Sequence, residues 1–377
     1  MALLLACATC ALIVVAVVVP HIGDCAGDCE KQCRASPGTI ERLVCESECR
    51  ARCTFARTRD DVIAEGSPSR GGTKIRVGDV EVAAPELNFP ISELAKAALQ
   101  FRAPLAKPAR PKVSSVDLRP ELSRRGIRIE DQKDTQTCMA HALTSAMEYA
   151  LVPAFRKDPS LARGVGAPLT GPNLSRRHVH FVSLHAAIVC RRDYPRGSWV
   201  LHAASAVAAD GTFLESHWPF VSWDPMSPHW KTCEEAVNGG EPSGKALAER
   251  KLFLQQFKYL PPFGLDTVAS ARNTGHLEGI LDLGYPIVLA VVLIQPSFDA
   301  AWRNGGYVRS PKAGTKAPAT LHYVLVVGFD RGKKLFTFAN SWGRKFGSSG
   351  YGFLEYDYVE RFGIEGLYVE EMRVAGK

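Results

Sequence analysis

Residues 321–343 read Leu-His-Tyr-Val-Leu-Val-Val-Gly-Phe-Asp-Arg-Gly-Lys-Lys-Leu-Phe-Thr-Phe-Ala-Asn-Ser-Trp-Gly. Apolar, β-branched and aromatic residues on either side of a polar break predict two strands, Leu321–Phe329 and Leu335–Ala339. Asp330-Arg331-Gly332-Lys333 predicts the turn between them. His322 begins the first strand and Asn340 ends the second. With Arg331 and Gly332 as the loop residues, His322 falls opposite Ser341. A one-residue change of register puts it opposite Asn340, and opposed Cβ atoms lie about 4.5–5.5 Å apart. An amide there can hold an imidazole ring, as a third residue orients the base in other triads.

Upstream, Cys138 opens an apolar pattern of helical period: Met139, Ala142, Leu143, Ala146, Met147 and Ala150. Pro153 is expected to end that helix. A thiol attacks as thiolate, and the unpaired amides of a helix start favour an anion. A lone Cys on an apolar helix reads as a small buried hydrophobe, and a lone His in a strand as a core residue. The conjunction of Cys138, His322 and Asn340 points to a cysteine nucleophile with a histidine base. Gln132, in the preceding loop, and the backbone amide of Cys138 are candidate donors for a developing oxyanion.

Helices are further expected at Ser175–Cys190, Ser198–Ala209 and Thr274–Leu283, and strands at Ile287–Ile294, Tyr351–Tyr356 and Leu367–Met372. Ile287–Ile294 is apolar throughout, which predicts burial on both faces. Helices first and a largely antiparallel sheet afterwards make residues 113–377 an α+β domain of two halves with a cleft between them.

Residues 1–23 form an apolar run expected to act as an export signal, either a signal peptide or a single N-terminal membrane anchor. That implies an extracytoplasmic location, whether secreted, periplasmic or membrane-anchored facing outward. Residues 24–54 carry Cys25, Cys29, Cys33, Cys45, Cys49 and Cys53 in two triplets spaced by four, around Ser36-Pro37-Gly38. Spacing of four shares a helix face, so a stapled helical hairpin is expected. Nested pairing, Cys25–Cys53, Cys29–Cys49 and Cys33–Cys45, keeps every bridge between facing turns. Six cysteines allow about fifteen connectivities, metal ligation is the rival, and the hairpin's partner is not readable. Residues 55–112 read as a linker or a pro-segment, with a hairpin centred on Val77-Gly78-Asp79-Val80 and a helix at Ile91–Arg102.

The formal net charge of +7 is spread thinly. Without a basic stripe interleaved with aromatics, nucleic acid is not an expected partner. No cofactor is required by a thiol mechanism. His178 and His180 lack an accompanying carboxylate cluster, so no metal site is expected.

The region from Val113 onward resembles the papain-like cysteine peptidases. Val116-Asp117-Leu118-Arg119, Gln132, Cys138 and Ala140 look like the start of that domain. Leu174-Ser175, Gly197 and Trp218-Pro219-Phe220 fall where the family has Leu-Ser, Gly-Gly and Tyr-Pro-Tyr. Leu321-His322-Tyr323-Val324 through Gly328 resembles its His strand. Asn340-Ser341-Trp342-Gly343 and Gly350-Tyr351-Gly352 resemble its Asn-Ser-Trp-Gly and Gly-Tyr. The resemblance implies a papain-like two-lobed fold, a helical lobe with Cys138 and an antiparallel β-barrel-like lobe with His322 and Asn340. It implies thiol-dependent hydrolysis of a peptide or protein substrate through an acyl-enzyme. It also implies substrate contacts at Gly197 and Ser198 and a second disulfide, Cys190–Cys233. Glu370 falls where the family lines its main specificity pocket, which would favour a basic side chain; a surface carboxylate is the plainer reading. Thr135-Gln136-Thr137 replace the family's Cys-Gly-Ser, and Met139 its Trp. A weakened binding module, or an acyl transferase or transpeptidase on the same residues, is the alternative.

Overall fold

A 20-residue helix, Cys138–Lys157, lies across the middle of a sheet, and Cys138 is its first residue. The computed structural model describes residues 73–77, 80–84, 113–133, 135–187, 199–220, 242–260, 270–312 and 314–375. The expected signal or anchor, the cysteine hairpin with its three pairings, the Ile91–Arg102 helix, the Cys190–Cys233 bridge, Gly197 and Ser198 lie outside the described residues.

In chain order the elements are β1 (Thr73–Val77), β2 (Val80–Ala84), β3 (Ser115–Asp117), α1 (Arg119–Arg124), α2 (Cys138–Lys157), α3 (Pro159–Val165), α4 (Arg176–Ala187), α5 (Val200–Asp210) and α6 (Gly244–Ala248). Then follow β4 (Leu252–Leu260), α7 (Thr274–Asp282), β5 (Ile287–Ile294), α8 (Gln295–Arg303), β6 (Tyr307–Val308), β7 (Ala319–Asp330), β8 (Leu335–Ala339), β9 (Tyr351–Glu355), α9 (Tyr356–Phe362) and β10 (Gly363–Val374). The sheet runs β4-β10-β5-β7-β8-β9-β6, antiparallel from β4 through β9. The α+β architecture with helices leading is therefore as expected.

β5 is buried at every position except Leu293, which is partly so, because it lies between β10 and β7. α2 packs against β10, β7 and β5. Its apolar residues Met139, Leu143, Met147 and Leu151 are all at most 1 % exposed. Each such side chain contributes about 1.5–3 kcal/mol on burial, which fixes the helix on the sheet and hence the place of Cys138. The β1–β2 hairpin forms with Val77 opposite Val80. Val77, Val80 and Val82 are buried, and Ala83 pairs with Thr320, two positions before His322.

Two expectations are corrected. α2 does not stop at Pro153; it continues to Lys157, capped at Asp158. Proline supplies no N–H to the carbonyl of Tyr149. Arg125 supplies the missing donor: its Nη1 donates to that carbonyl at 2.6 Å, and its guanidinium lies 3.7 Å over the Tyr149 ring. The β7–β8 register also differs. Asp330 pairs with Leu335, so the loop is four residues, with Lys334 at φ 55°, and a bulge intervenes between Val326 and Gly328. Leu325 then faces Ala339, which sets His322 beyond the last pair rather than directly opposite Asn340 or Ser341.

Candidate active site

Asn340 nevertheless reaches His322. Its Oδ1 lies 2.8 Å from Nε2 of the imidazole. Past Ala339 the chain leaves the strand, so the amide approaches diagonally; such neighbours remain within side-chain reach. Oδ1 also accepts the Ser341 backbone N–H at 2.9 Å, which fixes which end of the amide is oxygen. Nε2 must then donate, so the neutral ring carries its lone pair on Nδ1. Both side chains are 3 % exposed. Asn340 Nδ2 has no hydrogen-bond partner.

Aromatic rings cover this pair. Trp342 lies over His322 at 4.8 Å between centroids, Phe298 of α8 meets the imidazole edge-on at 5.9 Å, and Trp302 stacks on Trp342 within 2° of parallel. Dry surroundings disfavour the imidazolium, and burial pulls the His322 pKa down to about 4, opposed only by the hydrogen bond that Nε2 donates to Asn340.

Cys138, half-buried, is the only free cysteine among the described residues. Burial pushes its thiol up, while the nearby backbone amides of Tyr323, Met139 and Cys138 itself act in the opposite direction. Tyr323 is the residue directly after His322, so the sulfur sits against the His strand. The helical and sheet halves meet at this point.

Two loops are stitched together beside it. Gln132 N–H donates to the Ser341 carbonyl at 2.7 Å, Gly343 N–H to the Glu130 carbonyl at 3.0 Å, and Ser341 Oγ to Gln132 Oε1 at 2.5 Å. Gln132 Nε2 donates to the carbonyl of Thr135 at 2.6 Å. Thus Gln132 occupies the expected loop, with one N–H used within that loop and a second left on the same nitrogen. Gly343 at φ 71° and Gly350 at φ 92° meet Asp131 and Ile129 respectively, where a Cβ would lie 2.9 Å from Asp131 Oδ2 and 2.4 Å from Ile129 Cγ2.

Glu370 is not an open carboxylate. It lies 3.9 Å from Lys258 of β4 and is partly buried. His178 and His180 both fall on α4; His178 Nδ1 bonds Thr212 Oγ1 at 3.1 Å, and burial lowers both pKa values. Sequence reasoning passed over Ser341, Phe298, Trp302 and Tyr323. The signal for the aromatics was the density of rings on either side of the His strand; nothing in the sequence marked Ser341 as the bridge to Gln132.

Residues 267–371 match the family model for papain family cysteine proteases. That segment includes His322 and Asn340 and excludes Cys138. Over that segment the chain is similar to this family. An uncharacterised peptidase C1-like protein of Acanthamoeba polyphaga mimivirus is 29 % identical over 168 residues, 44 % of this chain and 49 % of that protein. The chain thus spans about half the length of the curated relative it matches. Xylellain, a cysteine protease from Xylella fastidiosa, superposes with a TM-score of 0.52 at 21 % identity, covering 69 % of this chain and 86 % of that one. This likeness shows that the chain has a papain-like fold.

Proposed function

We propose that this papain-like chain hydrolyses peptide bonds through an acyl-enzyme on Cys138. His322 takes the thiol proton on Nδ1 and later returns it to the leaving amine; Asn340 holds the ring in the tautomer that makes this possible. The single observation that carries the reading is the 2.8 Å contact between His322 Nε2 and Asn340 Oδ1, on the strand against which the helix opened by Cys138 packs. Taken separately, burial disfavours both the thiolate and the imidazolium. Proton transfer creates the two charges together, and each then compensates the other in a medium of low dielectric. The oxyanion of the tetrahedral intermediate would be met by the Cys138 backbone amide and the second N–H of Gln132.

Selection of basic side chains by Glu370 would have to compete with Lys258, whose Nζ lies 3.9 Å from the carboxylate. One observation favours the alternative of a weakened binding module: the Gln132 amide is drawn into its own loop by Thr135. The test is digestion of a mixed peptide library by the full chain and by Cys138→Ser, with added amine to reveal acyl transfer. New peptide termini from the wild type alone support hydrolysis. Amine adducts in their place point to a transferase, and no products with intact fold favours the binding module.

A further inference from the structure

The run Gly363-Ile364-Glu365-Gly366-Leu367-Tyr368-Val369 is buried throughout, with a carboxylate in its middle. Glu365 is 1 % exposed. Its Oε2 accepts the Tyr259 hydroxyl at 2.6 Å; its Oε1 accepts the Tyr323 hydroxyl at 2.5 Å and the Val200 N–H at 3.0 Å. The Val200 N–H is also 3.3 Å from the Tyr323 hydroxyl. Tyr259 belongs to β4, Tyr323 to β7, and Val200 is the first residue of the 11-residue helix α5. One carboxylate therefore joins three elements. The ionisable groups that face it are the two phenols, and the amide at the α5 N-terminus is the third donor. Burying a charge this deeply costs several kcal/mol unless donors converge on it, and here three do.

Tyr323 is held at its hydroxyl by Glu365, and its strand, β7, packs against the helix that Cys138 opens. Its neighbour is His322. We infer that Glu365 is a positioning residue for the thiol–imidazole pair, clamping Tyr323 against the start of α5 so that the strand holds the adjacent His322 imidazole in place. This inference rests on the proposed cysteine chemistry at that site. Loss of the clamp lets the strand segment relax, and small displacements of reacting groups carry large rate costs.

The full chain, Glu365→Gln and Tyr323→Phe are compared by the rate of iodoacetamide addition to Cys138 from pH 4 to 9, read by mass on the Cys138 peptide, and by kcat and KM on a cleaved peptide. Glu365→Gln keeps the shape but turns a three-way acceptor into a group with only one acceptor atom; Tyr323→Phe removes one donor and leaves the carboxylate. Both are expected to slow alkylation at pH 6 by roughly tenfold to a hundredfold, to move its pH midpoint upward, and to lower kcat with KM within about twofold. A purely structural role would lower the melting temperature and leave the alkylation profile of the folded protein superimposed on the wild type, which overturns the inference. If Glu365→Gln fails to fold, Tyr323→Phe decides by the same criterion. If the wild type alkylates normally but cuts no peptide, the hydrolase reading falls and the alkylation profiles still decide the role of Glu365.

Discussion

Replacing Arg125 by alanine removes the device that lets a proline sit inside the helix bearing Cys138, together with an ion pair to Glu121; comparison in a Pro153→Ala background separates the two. In the wild type the Tyr149 carbonyl, denied a donor by Pro153, accepts Arg125 Nη1 at 2.6 Å, with the guanidinium stacked 3.7 Å over the Tyr149 ring. A hydrogen bond from a charged donor contributes about 1.5–3 kcal/mol, and a cation over an aromatic face about 0.5–1 kcal/mol at an accessible site. Arg125→Ala should thus cost about 2–4 kcal/mol in urea unfolding, seen as a lower midpoint at unchanged slope. Pro153→Ala restores an N–H to the Tyr149 carbonyl. In that background Arg125→Ala should cost about 1–2 kcal/mol less, because the carbonyl is no longer orphaned. The alkylation rate of folded Arg125→Ala should match the wild type, since Arg125 meets α2 at Tyr149, about three turns from the thiol. Additivity of the two substitutions within about 0.5 kcal/mol would refute the account of the proline.

Asn340→Ala leaves a buried imidazole nitrogen without its acceptor, a penalty of about 1–3 kcal/mol; kcat/KM on a fluorogenic peptide should fall roughly 5- to 150-fold, and a loss below twofold would count against the orienting role. In Cys138→Ser the imidazole of His322 should titrate by NMR near the value set by burial, about 4, because no thiolate is present to raise it; titration at or above its ordinary range would overturn the desolvation argument. His141, His178, His180, His202 and His322 all have pKa values lowered by burial, to between about 3 and about 4. The unfolded chain binds these protons first, so stability should be full above the ordinary histidine pKa and decline as pH falls from there towards 4, measurable as a falling urea midpoint between pH 7 and 5. Gly350→Ala must accommodate both φ 92° and a Cβ 2.4 Å from Ile129 Cγ2; it should lower stability by about 1–3 kcal/mol and slow thiol alkylation.

The parts of the fold that could be read in advance are those where one local rule dominates. β5 is eight apolar residues with no competing signal, and both its limits and its double burial follow from that. β8 and the Cys138 helix start are of the same kind. β4 was missed because Gln255 and Gln256 interrupt its alternation, and a register irregularity against β10 lies at that point. α8 follows β5 without a break, and Pro296 in its first turn looks in sequence like an interruption rather than a helix start. The β7–β8 register was misjudged because two alternative turns share one sequence, and the choice depends on Lys334 accepting a left-handed backbone. Cys138, His322 and Asn340 could still be named, since their types and order limit the chemistry even when register is wrong. Glu365 could not be assigned a role: its three donors come from residues 106, 42 and 165 positions away along the chain.

The departure at Thr135-Gln136-Thr137 has a structural counterpart that bears on how the nucleophile is held. A loop that turns tightly before a helix start usually relies on glycine for its backbone freedom. Here hydroxyls close it. Thr135 Oγ1 donates to the Gln132 carbonyl at 2.5 Å and lies 2.6 Å from Thr137 Oγ1, while Thr135 N–H reaches the same carbonyl at 3.2 Å. Thr137, the N-cap position of α2, makes no side-chain cap, because its hydroxyl faces Thr135. The first-turn amides of α2 are therefore not taken by a capping side chain, and the Met139 amide acts to lower the Cys138 thiol pKa against the effect of burial. A conventional N-cap would compete for those same donors. Having Gln136 where the family has glycine thus need not loosen the site: the hydroxyls of Thr135 and Thr137 on either side fix the loop while the helix start remains free to stabilise an anion, first on sulfur and then on the oxygen of a bound carbonyl.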